Sequence, residues 1–149
     1  NEPFILLADE TKLDDLTRKL MRIGLDTIQG YIPSTKIWEE NGGILEKVNQ
    51  ISLQEFKTLK KGKNVQLSAL RGGAEYDAVH IKGAEKGFVG TLTKNLDKIS
   101  TNKKVLIHCQ GGDRASIAYS LLAKNGFKNI NNYSPGMNEW ISQNNPIEL

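Results

Sequence analysis

The 149-residue sequence has one cysteine, two histidines and no long apolar run. One cysteine excludes an intramolecular disulfide and any zinc site built on several cysteines, and it is typical of a reducing, cytoplasmic compartment. A membrane helix needs ~18 consecutive apolar residues, so we expect no membrane contact. The formal net charge of +3 is scattered along the chain, which predicts small anionic ligands rather than nucleic acid.

An internal repeat organises the chain. A shift of 102 positions aligns the first 38 residues with the end of the sequence without a gap, and it places Gly24 on Gly126 and Trp38 on Trp140. Each copy has the pattern of a buried strand, a helix, a second strand and a short helix, which predicts a parallel strand pair joined by a right-handed crossover. We predict strands at 4–7, 27–31, 105–108 and 129–133 and longer helices at 12–23 and 114–125. The two tryptophans are predicted to be core anchors.

The segment between the two copies completes the second one. Ser52 and Glu55 have capping-box spacing, which predicts a helix at 53–60. Further elements are predicted as a strand at 65–70, a helical turn at 75–77 and a helix at 91–99. The fold class is therefore α/β, with a parallel sheet flanked by helices.

This arrangement predicts two domains of unequal completeness. Residues 46–149 predict a complete α/β domain, and residues 1–45 predict only the back half of a similar one, with a linker at 46–50. We expect the chain to be part of a longer protein. Because half a domain exposes a sheet edge and apolar surface, we also expect it to pair with another chain, which a homo-oligomer would provide.

The lone cysteine begins a loop between a predicted strand and a predicted helix. The loop reads Cys109-Gln110-Gly111-Gly112-Asp113-Arg114. Its two glycines let the backbone curl with the N–H groups pointing inward, and these groups and the helix dipole favour negative charge at the centre. Arg114 adds a fixed positive charge. Such surroundings predict a reactive thiolate at Cys109, with substrate contacts from Gln110 through Asp113, rather than a buried structural cysteine.

The length of the loop separates two classes of cysteine chemistry. Four residues lie between Cys109 and Arg114, and cysteine phosphatases place one more there, because their loop must wrap around the oxygens of a phosphate group. The smaller ring suits a single sulfur atom and indicates sulfur transfer. His108 before the cysteine is a phosphatase-like feature, so phosphatase or arsenate reductase activity stays an alternative. A non-catalytic module that docks a partner is the other.

Three further segments carry a resemblance to a known family. They are 70–84, which contains Arg71, Glu75 and His80, then 126–130 and 135–140. With the Cys109 loop, they make residues 46–149 similar to a rhodanese domain. Residues 1–45 resemble the second half of such a domain without its cysteine, since Leu7 takes the aligned position. The tandem resembles the C-terminal tail of bacterial fusion proteins that carry a metallo-β-lactamase-like persulfide dioxygenase.

The resemblance implies a sulfurtransferase. It would move a sulfane sulfur from thiosulfate or a low-molecular-weight persulfide to a thiol, sulfite or cyanide through a Cys109 persulfide. Gln110 and Asp113 would face the entrance, where the charge of Asp113 disfavours a doubly charged donor. The resemblance also implies no cofactor or metal in this chain, because any iron or zinc domain would lie upstream. It implies as well that residues 1–45 are catalytically inactive.

Three upstream residues are predicted to support the site without reacting. Arg71 and Glu75 are expected to form a structural ion pair, and His80 is expected to be a hydrogen-bonded framework residue. Departures from the family pattern lie outside the loop, at Ala69, Val79 and Pro135. They concern local packing and turn geometry more than chemistry.

Overall fold

The computed structural model describes residues 2–149 and divides them into two units after Lys47, where the sequence predicts a division after residue 45. The first unit contains β1 Phe4–Leu7, α1 Leu13–Arg22, β2 Ile28–Ile32 and α2 Thr35–Glu40, with a 3-10 turn at Glu10–Lys12. Strands β1 and β2 are parallel, as predicted, because α1 carries the chain back to the same end of the sheet.

The apolar side chains of the first unit stay exposed. None of its helices or strands contains a buried residue, and Leu7 and Trp38 are 60% and 51% exposed. A sheet buries a face only against a second layer, and two strands with so few helices cannot enclose a core. The predictions of a buried strand at 4–7 and of Trp38 as a core anchor are therefore wrong.

The second unit, Val48–Leu149, is built on a parallel sheet. Its helices are α3 Leu53–Lys60, α4 Gly73–Ala78, α5 Asp113–Lys124 and α6 Gly136–Ser142. Its strands are β3 Val65–Ala69, β4 His80–Ile81, β5 Glu85–Lys86, β6 Lys104–His108, β7 Ile130–Tyr133 and β8 Ile147–Glu148. The capping box before α3 is confirmed: Ser52 Oγ accepts the Glu55 N–H at 3.3 Å, and the Glu55 carboxylate accepts the Ser52 N–H at 2.8 Å.

The sheet order β5-β3-β6-β7 places β6, the strand that leads to Cys109, between two parallel neighbours. A further parallel bridge joins Gln50 to Asn132 of β7, and the N–H of Ile51 donates to the Asn132 carbonyl at 2.9 Å. The prediction of a linker at 46–50 is therefore wrong at Gln50, because this residue extends the sheet. The outer edge of β7 has peptide groups that need partners, and the backbone of Asn49 and Ile51 supplies them to Asn132.

Two apolar clusters in the second unit bring the helices onto the sheet. One joins Phe56 of α3, Tyr133 of β7 and Trp140 of α6, and the rings of Phe56 and Tyr133 stack with centroids 4.4 Å apart. The other includes Leu122 of α5 and Cys109 itself. Trp140 is 4% exposed, which confirms its predicted role as a core anchor. The cysteine is thus anchored in the packing between β6 and α5.

The helix predicted at 91–99 is a different structure. Val89–Lys98 forms 3-10 helix that is interrupted at Asn95, whose backbone is not helical. The side chain of Asn95 donates to the Thr91 carbonyl at 2.7 Å. A local bond of this kind competes with regular helical hydrogen bonding, which accounts for the interruption of the predicted helix at Asn95.

The sequence repeat is also a repeat of backbone geometry. Gly24 and Gly126 follow the first helix of each copy with φ angles of +80° and +86°. Trp38 and Trp140 each donate the indole N–H to the carbonyl six residues further along the chain. The interpretation of residues 1–45 as half of a domain that lacks its cysteine stays a prediction.

Candidate functional site

Cys109 lies at the carboxyl end of the central strand β6, where the chain turns into α5. The residue is 1% exposed, and its Sγ accepts a hydrogen bond from the Gly112 N–H at 3.1 Å. In open α/β sheets, ligands bind outside the carboxyl ends of the strands. The sulfur therefore occupies the usual place for a ligand site, but it lies inside a small ring of backbone rather than on the surface.

Two glycines allow the loop and α6 to approach closely. Gly112 has a φ of +106°, and a Cβ at this position would lie 2.7 Å from the Ser134 carbonyl oxygen. Gly136 has a φ of +60°, and a Cβ there would overlap the carbonyl oxygen of Cys109. Residues with a side chain avoid this left-handed region. Both positions therefore require glycine.

The first turn of α6 holds the carbonyl groups of the loop. The Met137 N–H donates to the Cys109 carbonyl at 3.0 Å, and the Asn138 N–H donates to the Gln110 carbonyl at 3.1 Å. In a planar trans peptide the N–H points opposite to the carbonyl. Fixing these two carbonyls against α6 turns the N–H groups of Gln110 and Gly111 away from it, which is the orientation that an anion-binding loop needs.

Glu75 connects the loop to the upstream segment. Its carboxylate accepts hydrogen bonds from both terminal nitrogens of Arg114, at 2.5 and 2.9 Å, and from the Gly72 N–H at 2.8 Å. The bonds from Arg114 lower the pKa of Glu75 to about 2 and raise the pKa of Arg114. The predicted pair of Arg71 and Glu75 is present, with 3.7 Å between Nε and Oε1, but Arg114 is the closer partner.

Arg71 supplies a second guanidinium group beside the cysteine. It is 5% exposed and donates to the Val79 carbonyl at 2.5 Å. Burial lowers the pKa of Arg71, while the negative charges of Glu75 and of the Cys109 thiolate act in the opposite direction. The same thiolate contributes to the raised pKa of Arg114. The two arginines and Glu75 thus leave one positive charge beside the sulfur, while the negative charge of Asp113 lies at the exposed rim of the loop.

The rim of the loop is polar. Gly111 and Asp113 are exposed, and Gln110 is partly exposed. The Gln110 side chain donates from Nε2 to Asn138 Oδ1 at 2.6 Å. Asn138 is not among the predicted site residues, because 28 residues separate it from Gln110 and no local pattern signals the contact.

His80 lies in a framework of hydrogen bonds and ring contacts. Its Nδ1 is 3.0 Å from the Tyr76 carbonyl oxygen, and its ring stacks on that of Tyr76 with centroids 4.0 Å apart. Its Nε2 is 3.6 Å from the carboxylate of Glu148 in β8, the strand that pairs with β4. These contacts tie the end of the chain to the upstream segment.

His108 is fully buried next to the cysteine and has no hydrogen-bond partner at Nε2. Its ring meets that of Phe56 edge-on, with centroids 6.4 Å apart. Burial lowers the pKa of His108 to about 4, so the ring is neutral at neutral pH. The residue that looks phosphatase-like in the sequence is therefore part of the core.

The buried histidine predicts a pH dependence of stability. Between its ordinary pKa of 6.5 and the value of about 4 in the folded protein, only the unfolded chain binds the proton. The unfolding free energy should therefore fall as the pH drops through this window, by up to about 3 kcal/mol. Urea unfolding at several pH values measures it. Above about pH 5, where Glu75 is still ionised in both states, His108→Leu should remove the fall and His80→Gln should keep it. A fall that persists in His108→Leu between pH 6.5 and about 5 would contradict the assignment.

Residues 2–149 contain no group of three or more histidine, cysteine, aspartate or glutamate side chains placed to hold a metal ion. Over the same range, no helix combines the length and the apolar character that a membrane crossing requires.

Comparison with known proteins decides the family. The model of the rhodanese-like domain matches residues 52–143, which include the whole Cys109 loop and α6. The chain belongs to the rhodanese-like domain family. Its fold, a parallel sheet flanked by helices, is the fold of that family.

Similar proteins and structures agree with this membership. The Bacillus subtilis protein named "Putative sulfur carrier protein YrkF" is 30% identical over 97 residues, which are 64% of this chain and 52% of that protein. A rhodanese-like domain protein from Staphylococcus aureus has a TM-score of 0.58 at 29% identity, covering 62% of this chain and 91% of that one. A rhodanese-related protein from Thermoplasma volcanium, with a TM-score of 0.62 at 21% identity over 68% of this chain and 98% of its own, shares the fold.

Proposed function

We propose that this rhodanese-like domain is a sulfurtransferase that carries sulfane sulfur on Cys109. The observation that supports it best is the ring around the sulfur. Sγ accepts the Gly112 N–H, and the carbonyls of Cys109 and Gln110 are held by α6, so the remaining loop amides are free to stabilise a terminal sulfur anion.

The reaction is a double displacement. The Cys109 thiolate attacks the outer sulfur of thiosulfate, the bond between the two sulfur atoms of the donor breaks, and sulfite leaves with its electron pair. With a persulfide donor, a thiol leaves instead. Cyanide, sulfite or a thiol then attacks the outer sulfur of the Cys109 persulfide and restores the thiolate. No net oxidation or reduction occurs, so the cycle needs no further reactant.

Glu75 is proposed to position Arg114 for this reaction. Glu75→Gln should lower the rate of sulfur transfer about tenfold, because an amide offers the guanidinium one oxygen and no charge. The unfolding free energy should fall by only about 1 kcal/mol, since both side chains are partly solvated. Glu55→Gln is the control, because it also removes a capping-box carboxylate that accepts a backbone N–H, at the start of α3 rather than at the loop. An equal loss of rate in both variants would contradict the role of Glu75.

The direct test of the activity is the formation of thiocyanate from thiosulfate or glutathione persulfide in the presence of cyanide. We expect turnover with at least one donor and none with an aryl phosphate. Hydrolysis of the aryl phosphate without thiocyanate formation would favour the phosphatase alternative.

A non-catalytic sulfur-binding or docking module is the second candidate, and the 1% exposure of Cys109 favours it. The name of the YrkF protein, a sulfur carrier, is consistent with either function. Alkylation separates a reactive cysteine, which both sulfur transfer and sulfur binding need, from the sealed cysteine of a docking module. A site open to small donors should let iodoacetamide modify Cys109 in the folded protein, whereas a sealed structural cysteine should react only after unfolding.

We propose further that residues 1–45 are a catalytically inactive half of a second rhodanese-like domain, and that the chain works in the cytoplasm beside an upstream persulfide dioxygenase domain. The shared geometry of the two copies supports the first part. Removal of residues 1–47 should leave sulfur transfer by the second unit unchanged. A loss of turnover in the folded remainder would contradict an inactive role.

A further inference from the structure

Because Cys109 is buried, the outer sulfur atom of a sulfur donor and the remainder of the donor have to bind in different places. Since the cysteine is 1% exposed, a donor reaches it with at most its outer sulfur atom, and the rest of the donor has to stay at the rim. In thiosulfate this remainder is a sulfonate group, and in glutathione persulfide it carries carboxylates. The groups that face the rim therefore decide which donors bind.

The guanidinium groups near the sulfur are already committed. Arg114 uses both terminal nitrogens on Glu75, and Arg71 donates to the Val79 carbonyl, while its buried Nε has no hydrogen-bond partner and faces Glu75 Oε1 at 3.7 Å. Asp113 is exposed at the rim and repels an anion. The oxygens of a donor thus need another hydrogen-bond donor at the mouth of the loop.

Asn138 has that donor in place. Its Oδ1 is bound to Gln110 Nε2 at 2.6 Å, which orients the amide and leaves Nδ2 on its other side. Nδ2 would lie 3.1 Å from a Cβ built on Gly111, so it stands directly over the loop, and the residue is exposed. An amide N–H is a good donor to sulfonate and carboxylate oxygens but gains nothing from an alkyl group.

We infer that Asn138 determines donor specificity by binding an oxyanion of the sulfur donor while the outer sulfur enters the Cys109 ring. This inference rests on the proposed sulfurtransferase function. It predicts a preference for donors that carry a sulfonate or carboxylate over persulfides that carry neither.

Asn138→Asp is the sharpest variant, because it keeps an oxygen for Gln110 and replaces the Nδ2 donor by a second oxygen. It should raise KM for thiosulfate about tenfold with kcat within about twofold of the wild type. With 2-hydroxyethyl persulfide, which has no oxyanion, KM should rise less than with thiosulfate in Asn138→Asp and should stay unchanged in Asn138→Leu. Asn138→Leu adds no charge and should raise KM for thiosulfate about fivefold, which separates a lost hydrogen bond from a gained repulsion. Gln143→Glu, the same chemical change at the other end of α6, is the control.

The outcomes distinguish this inference from the proposed function. If the wild type uses thiosulfate and Asn138→Asp matches it in KM, donor binding by Asn138 is wrong and the sulfurtransferase function stands. If kcat falls equally with both donors, Asn138 only shapes the loop and the inference is again wrong. If the wild type turns over no donor, the proposed function fails, and the inference fails with it.

Discussion

Cys109→Ser is expected to abolish sulfur transfer, with a loss of at least about 10³-fold in thiocyanate formation, because a hydroxyl does not ionise near neutral pH and forms no persulfide. The serine oxygen can accept the Gly112 N–H in place of the sulfur, so the loop keeps its hydrogen bond. Stability should therefore change little, and thermal unfolding followed by circular dichroism checks that the variant is folded.

Measurable turnover in folded Cys109→Ser would contradict the mechanism, because no other cysteine exists in the sequence to replace it. If Cys109→Ser does not fold, its rate of sulfur transfer cannot be compared with that of the wild type. Cys109→Ala therefore serves as a second variant. It removes the reactive atom without adding a polar group to the core around α5.

Gly136→Ala is expected to have the second large effect. The new Cβ would overlap the Cys109 carbonyl oxygen, and the φ of +60° disfavours any side chain. Together the overlap and the strained φ should lower the unfolding free energy by about 3 kcal/mol. Because the overlap pushes the loop away from α6, sulfur transfer should fall even at temperatures where the variant is fully folded.

Gly126→Ala is the matched control for this change. Its φ of +86° also lies in the region that disfavours a side chain, but a Cβ there would meet no atom within 4 Å. We expect a loss of about 1 kcal/mol in unfolding free energy and a normal rate of sulfur transfer. Equal effects of the two substitutions on the rate would contradict the claim that contact with α6 shapes the loop.

The sequence predicts those features that depend on neighbouring residues. The capping box of Ser52 and Glu55 is confirmed by its two hydrogen bonds, and the parallel strand pairs follow from the apolar runs and crossover lengths. The loop at Cys109 is recognisable because its chemistry lies within six consecutive residues. In each case the determinants are close together in the chain, where spacing carries the information.

Features that depend on contacts between residues far apart in the sequence are not predicted. The bond from Arg114 to Glu75 spans 39 residues, and the bond from Gln110 to Asn138 spans 28. The exposure of Trp38 has a similar cause, because burial depends on a second layer that its own segment does not contain. A pattern of apolar residues indicates which side chains of a segment are suited to burial. Whether they are buried depends on the elements that pack against the segment.

Whether Cys109 carries sulfur is measured by the intact mass of the protein after incubation with thiosulfate or glutathione persulfide. Sulfur loading on Cys109 predicts a gain of about 32 Da, the mass of one sulfur atom, which cyanide removes and which Cys109→Ser never acquires. A folded protein with a free thiol that gains no mass from either donor would contradict the account and leave the domain as a binding module.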